Sequence, residues 1–157
     1  MIEWGEVQAL NQSEAHPVEH ALKKGYREDS GLFMESDCDE QLIVTVPFQQ
    51  IVRLHSVVVQ GPADGSGPRQ VKLFVNAPAL GFDEAMDAPG AQELELSAEE
   101  LAGGQPVALY PPKFTKVKSV SLFIGSNQGG GDVSRVTKLA LLGTPVHTTN
   151  MSELKKC

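Results

Sequence analysis

The sequence predicts an antiparallel all-β sandwich. Three observations carry that prediction. Short apolar runs repeat with a period of two, turn residues separate them, and no stretch between two strands reads as a crossover helix. The 157 residues fit one domain, and 41% hydrophobic with 21% charged residues is ordinary globular composition. A chain of this length buries roughly 70% of the surface its unfolded form exposes, so disulfide or metal staples are not required.

The first element expected is a short helix over residues 17–24. Pro17 suits the first helical position, Lys23 and Lys24 sit at the negative end of the helix dipole, and Gly25 suits the residue after the end. Too short to be stable alone, the helix would lay Val18, Ala21 and Leu22 over a sheet edge or one end of the sandwich. From Gln41 the pattern becomes β. Leu42, Val44, Val46 and Phe48 alternate with Ile43, Thr45 and Pro47, and a valine-rich run over residues 52–60 ends at Gly61-Pro62. Asp64-Gly65-Ser66-Gly67-Pro68 reads as a loop, after which residues 71–75 alternate again.

Glu93-Leu94-Glu95-Leu96 puts both leucines on one face. Ser97-Ala98-Glu99-Glu100 is a capping box for a single helical turn, stopped by Gly103-Gly104. Further strands are expected over residues 106–110, 119–124 and 135–142. Val120, Leu122 and Ile124 face one side, and Ser119 and Ser121 the other; a sandwich of this kind keeps one buried and one wetter face per sheet. Gly129-Gly130-Gly131 reads as a hairpin or inter-sheet loop, and the polar tail after Gly143-Thr144-Pro145 as loosely held.

A formal net charge of −7 repels polyanions, which argues against nucleic acid and acidic membrane surfaces as partners. The two cysteines, Cys38 and Cys157, make no disulfide framework and suit a reducing compartment. The N-terminus lacks the pattern of a secretory signal, and no apolar run approaches the roughly 18 residues that span a bilayer. The expected location is the cytosol or nucleus.

Leu32-Phe33-Met34-Glu35-Ser36-Asp37-Cys38-Asp39-Glu40-Gln41-Leu42 resembles the signature of the PITH domain family, whose name refers to a proteasome-interacting thioredoxin. The resemblance continues through Pro47-Phe48-Gln49-Gln50, Val52-Arg53-Leu54-His55-Ser56, Gln60-Gly61-Pro62 and Gly67-Pro68. Val71-Lys72-Leu73-Phe74-Val75-Asn76, Gln92-Glu93-Leu94-Glu95-Leu96, Lys113-Phe114, Ser119-Val120, Phe123-Ile124, Asn127-Gln128-Gly129-Gly130 and Gly143-Thr144-Pro145-Val146 follow in family order. Ordered motifs at this density are far more specific than a single one. The resemblance implies a jelly-roll β-sandwich similar to galactose-binding domains. It divides the chain into an N-terminal extension (residues 1–9), the domain (10–147) and a tail (148–157). It also implies a non-enzymatic protein-interaction module, monomeric when free, that associates with the proteasome's regulatory particle. In its best-known setting such a domain follows a thioredoxin domain. No Cys-x-x-Cys occurs here, so that redox chemistry does not carry over, and the native-looking start at Met1 favours a single-domain member.

Candidate sites are few. Glu35, Asp37, Asp39 and Glu40 form an acidic cluster that offers a hard cation oxygen ligands, or a partner a docking face. The bland alternative is a polar loop whose carboxylates accept backbone N–H bonds and pair with Arg or Lys. The cluster disfavours a Cys38 thiolate, which argues against a thiol enzyme. His16 and His20 have chelating spacing but no identifiable third ligand, and His55 and His147 stand alone. No nucleophile elbow or phosphate-cradling loop is present, and neither a cofactor nor a catalytic constellation is expected. Arg53, Lys72, Lys113, Phe114, Lys116 and Lys118 form a basic–aromatic set suited to steering an acidic protein surface, with Lys116 and Lys118 on one side of a strand and Val117 on the other. Asn127 and Gln128 of the glycine-loop motif complete the expected partner-binding residues. The alternatives to a proteasome-binding module are a carbohydrate- or small-ligand-binding jelly roll and a structural subunit of another large assembly. Aromatic content of 6%, with Trp4 the single Trp, speaks against the sugar reading.

Overall fold

The structure, a computed structural model, describes residues 7–12, 33–37, 39–62, 65–77, 80–88, 90–103 and 106–146, the side chains of Ala98, Ala102 and Pro111 excepted. The described strands are β1 (Gln8–Leu10), β2 (Met34–Glu35), β3 (Leu42–Gln60), β4 (Pro68–Val75), β5 (Gln92–Glu95), β6 (Val107–Ala108), β7 (Val117–Asn127), β8 (Arg135–Val136) and β9 (Lys138–Pro145). Two six-residue helices, α1 (Phe82–Asp87) and α2 (Ala98–Gly103), and a 3₁₀ turn (Pro111–Lys113) lie between them. All named strand pairs are antiparallel.

β3 organises the sandwich because its two apolar runs form one 19-residue strand. Its first half pairs with β1 on one side and β7 on the other, giving a first layer in the order β1-β3-β7-β4-β5. Between Pro47 and Val52 the register with β7 shifts. Proline has no N–H to give the ladder, so a bulge and bend are tolerated there. Beyond the bend β3 pairs with β6 and β9, which makes the second layer. β2 and β8 form a separate two-stranded ribbon, continued by a bridge between Gln12 and Ser36.

Alternation places the core as expected. Leu42, Val44 and Val46 of β3 meet Ile124, Leu122 and Val120 of β7, with Val71 and Leu73 of β4 beyond them and Val57, Val59 and Leu139 from the second layer. Phe114 is fully buried in the same cluster. Each fully buried aliphatic or aromatic side chain contributes about 1.5–3 kcal/mol by area.

The opposite face of the first layer departs from the expectation of a wetter side. Ile43, Phe74 and Phe123 form a second buried cluster with Leu80 and Ala85, because the segment between β4 and β5 folds back over the sheet. Ser121 is fully buried there; its hydroxyl meets Thr45 Oγ1 at 3.0 Å and donates to the Ala77 carbonyl at 3.3 Å. α1 within that segment has no sequence signature, since Gly81 at its N-cap makes no side-chain cap bond. The expected turn at Ser97 is present with its reciprocal cap: Glu100 N–H donates to Ser97 Oγ (3.1 Å), and Ser97 N–H to Glu100 Oε1 (3.0 Å). The strand expected at 106–110 contracts to β6, and the one at 135–142 is interrupted at Thr137 and runs on to Pro145. The helix expected at 17–24 lies outside the described residues, as do the first six residues and the tail from 147.

Candidate docking surface

The acidic loop is held mainly by bonds inside the fold. Asp39 Oδ1 accepts from Gln41 N–H at 3.0 Å and from Asn11 Nδ2 at 2.8 Å, while the same amide donates to the Gln41 carbonyl at 2.7 Å. Asn11 is free to bend the chain here because asparagine tolerates its positive φ of 71°. Asp37 N–H donates to the Asn11 carbonyl at 2.8 Å, and the Glu40 carbonyl accepts from Ser134 Oγ at 2.6 Å. Glu35 Oε2 receives Arg135 Nε at 2.6 Å, and the guanidinium lies 5.7 Å from the Phe33 ring centroid. This is the polar-loop arrangement: carboxylates take backbone N–H and arginine partners. Among the described residues no three His, Cys, Asp or Glu side chains converge as a metal site. Cys38, His16, His20, His147, Trp4 and Cys157 lie outside the described residues.

Three residues expected to meet a partner are buried instead, which corrects their assignment, and a fourth, Gln128, is half-buried. Lys72, only 8% exposed, sends its ammonium to the carbonyls of Ala85 (3.1 Å), Met86 (3.0 Å) and Ala88 (3.0 Å). It thus satisfies the C-terminal end of α1, where orphan carbonyls and the helix dipole favour a cation. Phe114 has no exposed surface. Asn127 is buried; its amide donates to the Gly131 and Val133 carbonyls and its Oδ1 accepts from Gly131 N–H, which shapes the glycine loop. The Gln128 amide ties that loop to the Pro68 and Leu96 carbonyls at 2.9 and 2.6 Å.

The exposed remainder of the basic set is Arg53, Lys113, Lys116 and Lys118, and Val117 is buried on the reverse side of its strand. Leu54 N–H donates to the Phe114 carbonyl at 3.0 Å, so the stretch carrying Lys113 runs beside the part of β3 that carries Arg53. Reasoning from sequence missed the exposed Ile51, Tyr110 and Leu142. Their signal lay in an apolar residue falling on the outward phase of an alternating strand. A separate open cleft of about 340 Å³ is lined by Leu10, Asn11, Asp39, Gln41 and Phe82.

Comparison with known proteins adds the family and the fold. Residues 1–157 match the PITH domain. Thioredoxin-like protein 1 of Schizosaccharomyces pombe is 34% identical over 161 aligned residues, covering 99% of this chain and 53% of that protein. The PITH domain-containing protein CG6153 of Drosophila melanogaster is 36% identical over 120 residues, 74% of this chain and 54% of the relative. The chain therefore spans about half the length of these curated relatives. A family 32 carbohydrate-binding module from Clostridium perfringens, solved with GalNAc-β-1,3-galactose, superposes with a TM-score of 0.61 at 12% identity, covering 88% of this chain and 96% of the module. At that identity the likeness establishes the fold alone, a jelly-roll β-sandwich. From its unbroken match and its relatives, the chain belongs to the PITH domain family.

Proposed function

We propose that this chain is a non-enzymatic module that docks onto a large protein assembly, and that the assembly is the proteasome's regulatory particle. Family membership supports the module. The observation that carries the reading is the placement of the polar groups singled out for chemistry. Glu35 binds Arg135, Asp39 binds Asn11 and Gln41, Asn127 binds its own loop, and Lys72 binds the end of α1. Groups engaged this way hold the scaffold, and function falls to the exposed surface. The module acts as a monomer when free, in the cytosol and nucleus. The test is affinity capture from native lysate at moderate salt. Regulatory-particle subunits are expected among the recovered proteins; their absence, with another assembly enriched, removes the named partner.

A second reading rests on the cleft beside Phe82. An aromatic ring with amides and a carboxylate is the composition of a small sugar site, and about 340 Å³ lies at the lower end of ligand-pocket volumes. Titration with galactose and N-acetylgalactosamine checks it. Unchanged amide resonances at Asn11 and Gln41, with an unchanged melting temperature, would close this line.

A further inference from the structure

We infer that the module meets its partner through the outer face of the β6-β3-β9 layer, and that the partner presents an acidic segment interleaved with apolar side chains. The inference rests on the protein-docking reading above and adds where and with what chemistry docking occurs.

The two outer faces of the sandwich are treated differently. The first is roofed by α1 and its flanks, which bury Ile43, Phe74 and Phe123. The second keeps large apolar side chains in solvent. Five large hydrophobic residues are exposed among the described ones, and three belong to this region: Tyr110 (57%), Leu142 (42%) and Ile51 (37%). The registers place them. Ser56 lies opposite both Ala108 of β6 and Leu142 of β9, and Arg53 lies opposite Thr144. Val52 and Leu54 point into the core, so Ile51 and Arg53 point out. Leu109 is buried beside the outward-phased Ala108 and Tyr110. Exposed apolar residues gathered on one side are the mark of an interaction site, and Tyr and Arg are the residue types that dominate binding energy at interfaces.

Charge selects the partner. In a chain of net charge −7, residues 41–60, 106–131 and 133–146 contain no Asp or Glu at all. These stretches supply all of β3, β6 and β9. On the first layer, by contrast, Asp83, Glu84 and Asp87 stand on α1 and Glu93 and Glu95 on β5. Arg53 on the docking face, and Lys113 on the stretch that runs beside this part of β3, make no ion pair among the described residues. A cation-bearing apolar face within an acidic molecule orients an acidic partner on approach and repels none of its carboxylates on contact.

The test uses the full chain, isotope-labelled, titrated with a short synthetic peptide of glutamate and leucine. Amide shifts centred on residues 51–56 and 140–144 are expected, weakening as salt rises. Arg53→Glu and Leu142→Glu, both at exposed positions, should each weaken binding at least about tenfold, whereas Glu84→Lys on α1 should leave it unchanged. Absence of binding, shifts centred elsewhere, or wild-type affinity in either face variant overturns the inference. Capture of the regulatory particle separates this inference from the function. If both face variants recover the particle as well as the wild-type chain does, the face is wrong and the function stands. If the peptide binds this face and no particle is recovered, the face stands and the named assembly falls.

Discussion

Replacing Lys72 by methionine tests whether its ammonium or merely its stem holds α1 on the sheet. Methionine keeps the length and the apolar body, so the change isolates the three bonds at 3.0–3.1 Å to Ala85, Met86 and Ala88. The bond to the Ala85 carbonyl is buried, and the other two are part-buried and open to replacement by water. One stranded buried carbonyl costs about 1–3 kcal/mol. Loss of a cation from a helix C-terminus adds roughly 0.3–1 kcal/mol. Relief of the ammonium's own desolvation offsets part of this. A net loss of about 2 kcal/mol follows, and with a urea dependence of about 2 kcal/mol per molar the unfolding midpoint falls by about 1 M. The loss should also be local: exchange of the Ala85 and Ala88 amides, which bond to the Gly81 and Glu84 carbonyls, accelerates while β7 amides keep their protection. Glu93→Gln serves as the control. Glu93 stands directly opposite Lys72 in the β4–β5 ladder and is exposed, so its effect stays within about 0.5 kcal/mol. A Lys72→Met midpoint within about 0.2 M of wild type, with unchanged exchange at α1, would refute the capping role.

Substitutions at three further positions probe the scaffold. Asn76 has a φ of 58° and accepts the Lys118 and Ser119 N–H groups on Oδ1 while donating to the Lys116 carbonyl. Asn76→Ala should lower stability by about 2–3 kcal/mol in urea unfolding, and Asn76→Gly should recover about 1 kcal/mol of that by tolerating the backbone angle. Gly143→Ala drives a Cβ into the Arg53 carbonyl oxygen and to 3.0 Å from Leu54 Cα. Both are backbone atoms, so a loss of about 1–3 kcal/mol is expected, read as a lower melting temperature. Ser97→Ala removes half of the reciprocal cap on α2 and should cost about 1 kcal/mol, or roughly 2–4 °C in thermal unfolding.

Alternation makes the core legible in the sequence. Leu42, Val44 and Val46, their β7 partners Val120, Leu122 and Ile124, and the capping box at Ser97 all stand where period and local chemistry put them. A period of two says which residues share a face, but not what covers that face. Lys72 and Ser121 fall on the outward phase of their strands and are nonetheless buried, because α1 folds back over them from outside the strand pattern. A six-residue helix whose N-cap is glycine and whose carbonyls are satisfied by a lysine ten or more positions earlier leaves no local trace. The same blindness affected Phe114 and Asn127, whose motifs read as surface because lysines and glycines flank them. Phe114 anchors a connection into the core, and Asn127 builds a loop from within.

The lysines show how residue type misleads when topology is missing. Charge alone groups Lys72, Lys113, Lys116 and Lys118, yet the fold gives them unlike tasks. Lys72 satisfies the carbonyl end of a helix that roofs one sheet, while Lys113 is exposed on the stretch whose Phe114 carbonyl takes the Leu54 N–H of β3. Roofing the first layer puts an internal cation under α1, and the acidic α1 and β5 belong to that layer. The strands of the second layer carry no carboxylate, and among the described residues Arg53 on its outer face makes no ion pair. One arrangement of charge therefore closes one face of the sandwich and leaves the other suited to an acidic partner.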